Sequence, residues 1–124
     1  MIAADSSSLS AFSKGEDGPD VVLVATALRV GNIRLPPVVI TEMLSDPSAQ
    51  SAMMETVADF QLLPILDGYW QRAGASRRLL RQKGFKAKVG DALIAQSCID
   101  HDVALITRDA DFCRFVEHCG LRPA

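Results

Sequence analysis

Two short apolar runs constrain this chain most. Met1-Ile2-Ala3-Ala4 leads straight into Asp5, and Val103-Ala104-Leu105-Ile106 leads through Thr107 and Arg108 into Asp109. Runs this short, closed by polar residues, read as buried strands rather than helices. Helical spacing fills the chain between them. Ser6 to Ser13 can form a first helix, broken by Gly15-Glu16-Asp17-Gly18-Pro19. Asp20 is a good N-cap for a helix through Val21 to Leu28, although the β-branched content also allows a buried strand there. Pro36 and Pro37 bias Arg34 to Val39 toward extended backbone, and Thr41 to Leu44 begins a helical turn. Asp46-Pro47 restarts a helix whose stripe is Met53, Met54, Val57 and Ala58. Leu62 to Leu66 reads as a short strand. Asp67 can cap a helix through Tyr69, Trp70, Ala73 and Leu80 that Gly84 stops. Gly90-Asp91 opens another helix, and Asp109 starts the last one, which ends at Cys119-Gly120.

Strands alternating with helices predict an α/β fold, a three-layer α/β/α sandwich around a mainly parallel sheet. A length of 124 residues suits one domain spanning 1–124. No apolar run approaches the roughly 20 residues of a membrane span, and no basic segment precedes an apolar N-terminal stretch, so a cytoplasmic protein is expected. Cys98, Cys113 and Cys119 are odd in number and lack CxxC spacing, which fits reduced thiols.

In such folds the loops at the carboxyl ends of the strands gather at one sheet edge. Topology therefore brings Asp5, Glu42 and Asp109 together, while Asp91 is less firmly placed. Taken singly, Asp91 and Asp109 are good N-caps. Taken together, several carboxylates in one place repel each other unless a cation compensates. Oxygen ligands without His or Cys suit Mg²⁺ or Mn²⁺. Asp111 is a fifth acid, read as supporting the site or the first helical turn rather than as a ligand. Ser6, Ser7 and Ser8 have no histidine at a useful spacing and read as hydroxyls capping the first helix. His101 and His118 read as structural cations near helix C-termini, and Tyr69 and Trp70 as packing residues.

From Gly68 to Gly90 the chain carries Arg72, Arg77, Arg78, Arg81, Lys83, Lys86 and Lys88 with no acid among them. The net charge of −2 argues against a whole-molecule grip on nucleic acid but leaves room for this local strip. Read as a phosphate track, it offers Arg77, Arg81 and Lys86 to a nucleic acid backbone. Arg108 can reach either a substrate phosphate or a neighbouring carboxylate.

Four segments resemble a known family. They are Asp5 followed by Ser6-Ser7, Leu35 to Glu42, Gly90-Asp91-Ala92-Leu93-Ile94-Ala95, and Leu105-Ile106-Thr107-Arg108-Asp109-Ala110-Asp111-Phe112. Their order looks like a PIN domain, and is most similar to single-domain toxins of the VapC type. The resemblance implies an endoribonuclease dependent on Mg²⁺ or Mn²⁺, hydrolysing RNA with water as the nucleophile. It also implies a cognate antitoxin and a homodimer. By motif, Asp5, Glu42, Asp91 and Asp109 take the family's acidic positions as catalytic and metal-binding residues. Thr107 takes the supporting hydroxyl position, with Ser7 a further candidate beside it. The alternative function is a PIN-like RNA-binding or interaction module without turnover. A response-regulator receiver would need adjacent acids at the first strand end, and a haloacid-type phosphatase an Asp two residues after the first. Asp5 is followed by Ser6, Ser7 and Ser8, so both fail there. After Gly120 only Leu121 to Ala124 remain, so a final edge strand is expected to be minimal or missing.

Overall fold

A computed structural model describes residues 1–49 and 51–124, with all of their side chains except those of Ala52 and Met53. Three strands form one parallel sheet in the order β2-β1-β3: β1 (Ile2–Ala4), β2 (Ile33–Arg34) and β3 (Ala104–Ile106). Ile2 pairs with Ile33 on one side and Ala104 on the other, so the first strand is the central one. Successive strand residues face opposite sides of a sheet. Ala3 and Ala4 are both fully buried, and Leu105 and Ile106 nearly so, which means that helices cover both faces. This is the expected α/β/α sandwich.

The helices are α1 (Ser6–Ser13), α2 (Pro19–Val30), α3 (Pro37–Leu44), α4 (Ser51–Ala58), α5 (Tyr69–Gln82), α6 (Val89–Asp100) and α7 (Cys113–Cys119). A 3₁₀ turn, Ala110–Phe112, precedes α7. α1 packs on α2 and α3, and α6 packs on α3, α5 and α7. The core joins Leu9, Val24, Leu35, Val39, Leu80, Ile94, Leu105, Ile106 and Phe115. Among the described residues no helix is long and apolar enough to cross a membrane. All three cysteines are free thiols.

Several local expectations need correction. Val21 to Leu28 is helical, but its N-cap is Gly18 with Pro19 behind it, and Asp20 lies in the first turn. The extended segment after β2 stops at Pro36. Pro37 starts α3, because the first helical position needs no N–H. Asp46-Pro47 makes a turn instead of a helix start. Asp46 Oδ1 accepts from the Ser48 N–H at 2.9 Å and its hydroxyl at 2.8 Å, and α4 begins only at Ser51.

Leu62 to Leu66 is not a strand. Leu62 makes one parallel bridge with Leu35, supported by the bonds from Leu35 N–H to the Gln61 carbonyl and from Leu63 N–H to the Leu35 carbonyl. β2 itself ends at Arg34 and the chain enters α3 at Pro37, so the pairing goes no further. At the opposite edge Pro123 bridges Leu105, with the Leu105 N–H bonded to the Arg122 carbonyl and the Ala124 N–H to the Leu105 carbonyl. The final edge strand is thus a single bridge, the minimal form expected.

Gly68, not Asp67, caps α5. Tyr69 is buried and its hydroxyl donates to the Leu93 carbonyl at 2.6 Å, but Trp70 is 62% exposed and is no core residue. Met54 is exposed and Val57 buried, while the Met53 side chain lies outside the described residues. His101 caps α6, and His118 lies in the last turn of α7.

Leu35 is wholly buried where the sheet meets α3. Leu35→Ala is expected to lower unfolding stability by about 2–5 kcal/mol, read as an earlier midpoint in urea with an unchanged slope.

Candidate metal centre

The carboxyl ends of β1 and β3 lie side by side, and each releases the chain into a polar residue that turns back toward the other. Asp5 follows β1 and is the N-cap of α1, its Oδ1 accepting the Ser8 N–H at 3.1 Å. The Ser7 hydroxyl reaches Asp5 Oδ1 and Oδ2 at 2.8 and 2.9 Å. Thr107, just past β3, donates to Asp5 Oδ2 at 2.5 Å. The same Thr107 oxygen accepts the Asp109 N–H at 3.0 Å, so one hydroxyl orients two carboxylate-bearing residues. Asp5 is only 2% exposed. Burial raises its carboxyl above the usual range, against the hydrogen bonds from Thr107, Ser8 and Ser7, and the nearby Asp109 charge raises it further.

The other acids arrive from helices. Asp91 is the third residue of α6 and makes no cap; it is buried, and pushed up to about 6 first by burial and then by the charge on Asp109, with Glu42 and Asp111 adding to it. Glu42 in α3 accepts from the Ser6 hydroxyl at 3.2 Å. Its carboxyl is also raised, by burial and then by the charges of Asp5 and Asp109. Asp109 caps the 3₁₀ turn by accepting the Asp111 N–H at 2.9 Å.

Asp91, Asp109 and Asp111 each offer a carboxylate oxygen within 4.8 Å of the others. Asp5 and Glu42 border this trio, coupled to it through Asp109. Asp111, expected from the sequence to support the site or the first helical turn, thus lies beside Asp91 and Asp109. Its sequence signal was its place two residues after Asp109, which a helical first turn explains equally well.

The donor set fits a hard divalent cation. It is all oxygen, with no sulfur or imidazole in the cluster among the described residues, and three of the five acids, Asp5, Glu42 and Asp91, are raised above ordinary carboxylates by burial and neighbouring charge. Lys88, immediately before α6, lies 4.0 Å from Asp111 and lowers the Asp91 and Glu42 carboxyls against the prevailing trend.

The serines do more than close a helix. Asp5 is the cap of α1, and Ser6, Ser7 and Ser8 bond to Glu42, Asp5 and Asp20 respectively. Of the basic strip, Arg72 is committed to Asp100 through a bidentate pair at 2.7 and 2.9 Å. Arg77 donates through Nε to the Ala87 carbonyl at 2.7 Å. Arg78, Arg81, Lys83 and Lys86 are exposed and enter none of the ion pairs among the described residues. Arg108 turns away from the acids to bind Asp20, so the neighbouring carboxylate is its partner.

A family model described as PIN domain matches residues 2–117, and the chain belongs to that family. Solved structures share the fold. One is a member of the VapBC family of toxin-antitoxin systems, VapBC-5, from Mycobacterium tuberculosis. It has a TM-score of 0.63 and 22% identity, over 73% of this chain and 79% of that one. Another is VapBC2 from Rickettsia felis, bound to a DNA fragment from their promoter. Its TM-score is 0.71 at 20% identity, over 100% of this chain and 98% of that one. No curated protein matches.

The raised Asp91 carboxyl fixes a sign. A native pKa above the unfolded one contributes stability at low pH that is lost as pH rises through about 6. Without metal, Asp91→Asn should therefore raise the Tm at pH 7.5, by roughly 2–6 °C, and leave it nearly unchanged at pH 4. Millimolar Mn²⁺ should stabilise the wild type at pH 7.5, with a gain that shrinks at pH 5 as protons compete. Differential scanning calorimetry at these pH values checks both.

Proposed function

We propose that this chain is a metal-dependent endoribonuclease and the toxin of a toxin–antitoxin pair. The observation that carries the reading is the gathering of Asp5, Glu42, Asp91 and Asp109, with Asp111, at the carboxyl edge of a PIN-domain sheet. Asp91, Asp109 and Asp111 would hold Mg²⁺ or Mn²⁺, with Asp5 and Glu42 completing its surroundings. When bound, such an ion supplies Lewis acidity at a phosphoryl oxygen and makes water acidic enough to attack near neutral pH.

The protein's own groups do the rest. Thr107, Ser7 and the Ser8 N–H fix the Asp5 carboxylate so that its position does not depend on substrate. Ser6 does the same for Glu42. An acidic pocket repels a polyanion, and the exposed cations Arg81, Lys86 and Lys88, with the remaining N–H groups of Arg77, offset that repulsion along the approach to Asp91. Arg108 is left out of the RNA-contacting set because its guanidinium is already engaged.

Both solved relatives named above come from VapBC toxin–antitoxin systems, which supports an antitoxin partner for this chain. Val22, Leu23 and Val30 on α2 and Met54 on α4 leave apolar surface exposed, which suits contact with an antitoxin or with a second copy in a homodimer. The cytoplasm, where RNA and antitoxin are both present, is the proposed location.

Asp5→Asn and Asp91→Asn should each lower Mn²⁺-dependent cleavage of single-stranded RNA by at least about 100-fold, with circular dichroism unchanged. Full cleavage by either variant would remove that residue from the site. Cleavage by the wild type that persists in excess chelator would remove the metal from the reaction.

A further inference from the structure

Arg108 lies between two residues of the acidic site, Thr107 and Asp109, yet its side chain leaves them. Its Nε donates to Asp20 Oδ2 at 2.8 Å and its Nη2 to Asp20 Oδ1 at 3.1 Å, a bidentate pair linking positions 88 residues apart. Nη2 also reaches the Asp17 carbonyl at 3.1 Å, and Nη1 lies 3.8 Å from Glu16. The Asp20 side chain is only 11% exposed. The Ser8 hydroxyl also donates to Oδ2 at 2.9 Å, and the Val21 N–H bonds to the same carboxylate.

These bonds close a ring around Asp5. Ser8 gives its N–H to the Asp5 carboxylate and its hydroxyl to Asp20. Asp20 holds Arg108, and the Arg108 N–H points at the Ser7 hydroxyl at 3.4 Å. Ser7 returns to Asp5, and Thr107, next to Arg108, binds Asp5 from the other side. Gly18 makes room for the pair. Its φ of 150° is one that L side chains rarely adopt, and a Cβ there would lie 2.6 Å from Asp20 Oδ1 and 3.0 Å from Arg108 Nη2.

We infer that the Arg108–Asp20 pair is a positioning device, holding the start of α1 and the end of β3 together so that Asp5 and Asp109 present their carboxylates as one site. The guanidinium fork matches carboxylate as well as phosphate; here its Nε and Nη2 are taken by Asp20 and Asp17, and Nη1 faces Glu16 at 3.8 Å. The inference takes its reaction from the ribonuclease reading, but metal binding tests it without RNA.

The experiment measures Mn²⁺ affinity by calorimetry on RNA-free protein, and kcat and KM on a single-stranded RNA, for Asp20→Ala, Arg108→Met and the double variant. Second-sphere changes of this kind are expected to weaken Mn²⁺ binding and lower kcat by about 10-fold or more, with KM within about twofold. The double variant should be no worse than either single one, because the two residues act as a unit. Asp20→Asn and Arg108→Lys keep most of the packing and should fall between, which guards against variants that fail to fold.

Unchanged Mn²⁺ affinity in both single variants overturns the proposal. So does a rise in KM for Arg108→Met with kcat intact, which would make Arg108 an RNA contact. Should the wild type bind Mn²⁺ but cut no RNA, the ribonuclease reading fails and the Mn²⁺ titrations alone decide the pair's role. Absence of Mn²⁺ binding by the wild type overturns both.

Discussion

The hydrogen bond from Thr107 to Asp5 joins the ends of two strands at the point where the sheet becomes a site. A carboxylate at the end of a central strand, 2% exposed, would ordinarily be costly. Donors from three residues, Thr107, Ser7 and Ser8, reduce that cost. They do not cancel it, because the Asp5 carboxyl still stands above its usual range through burial. The residual penalty is what a cation would relieve. It also explains why α1 starts where it does: Asp5 is at once the last polar stop of β1 and the cap of the next helix.

Charge is then distributed by element. Asp5, Asp91, Asp109 and Asp111 sit at helix beginnings or strand ends on one edge, Glu42 joins them from the second half of α3, and the exposed cations lie along α5 and the loop that follows it. Lys88 is where the two distributions meet. Since the whole molecule is close to neutral at −2, any attraction for a polyanion has to come from this separation of charge and not from the total. The start of α6 adds to it, since the positive end of the helix dipole lies beside Asp91.

Much of this was legible in the sequence because the signals were local. The apolar runs before Asp5 and Thr107 marked β1 and β3, and the glycine at 120 marked the end of α7. What escaped depended on partners far along the chain. Asp20 looks like an N-cap in any local reading, and only the return of the chain at Arg108 gives it another role. The three serines look alike in sequence, but one helical turn sends them to three different carboxylates. Leu62 to Leu66 has strand composition, yet β2 ends after two residues and offers little to pair with. The proximity of Asp111 to Asp91 and Asp109 was not legible either, because spacing cannot say whether a first-turn carboxylate faces solvent or its neighbours.

The motif around Asp91 shows how packing and chemistry share residues. Ala92 and Ala95 are 2% and 0% exposed. Small side chains at these positions let α6 settle closely on the rest of the core, with Ile94 and Cys98 filling the adjoining space. At the start of the helix Gly90 lies beside Glu42, whose Oε2 a Cβ there would meet at 3.4 Å, an ordinary contact distance. The packing that buries α6 also buries Asp91 and Glu42, and burial is the first cause that raises each carboxyl, ahead of the charge on Asp109 that acts on both. A larger residue at Ala92 would ease the electrostatic strain by moving Asp91 away from the other acids. It would do so by opening the core, so the fold holds the acids together with the same contacts that hold it together.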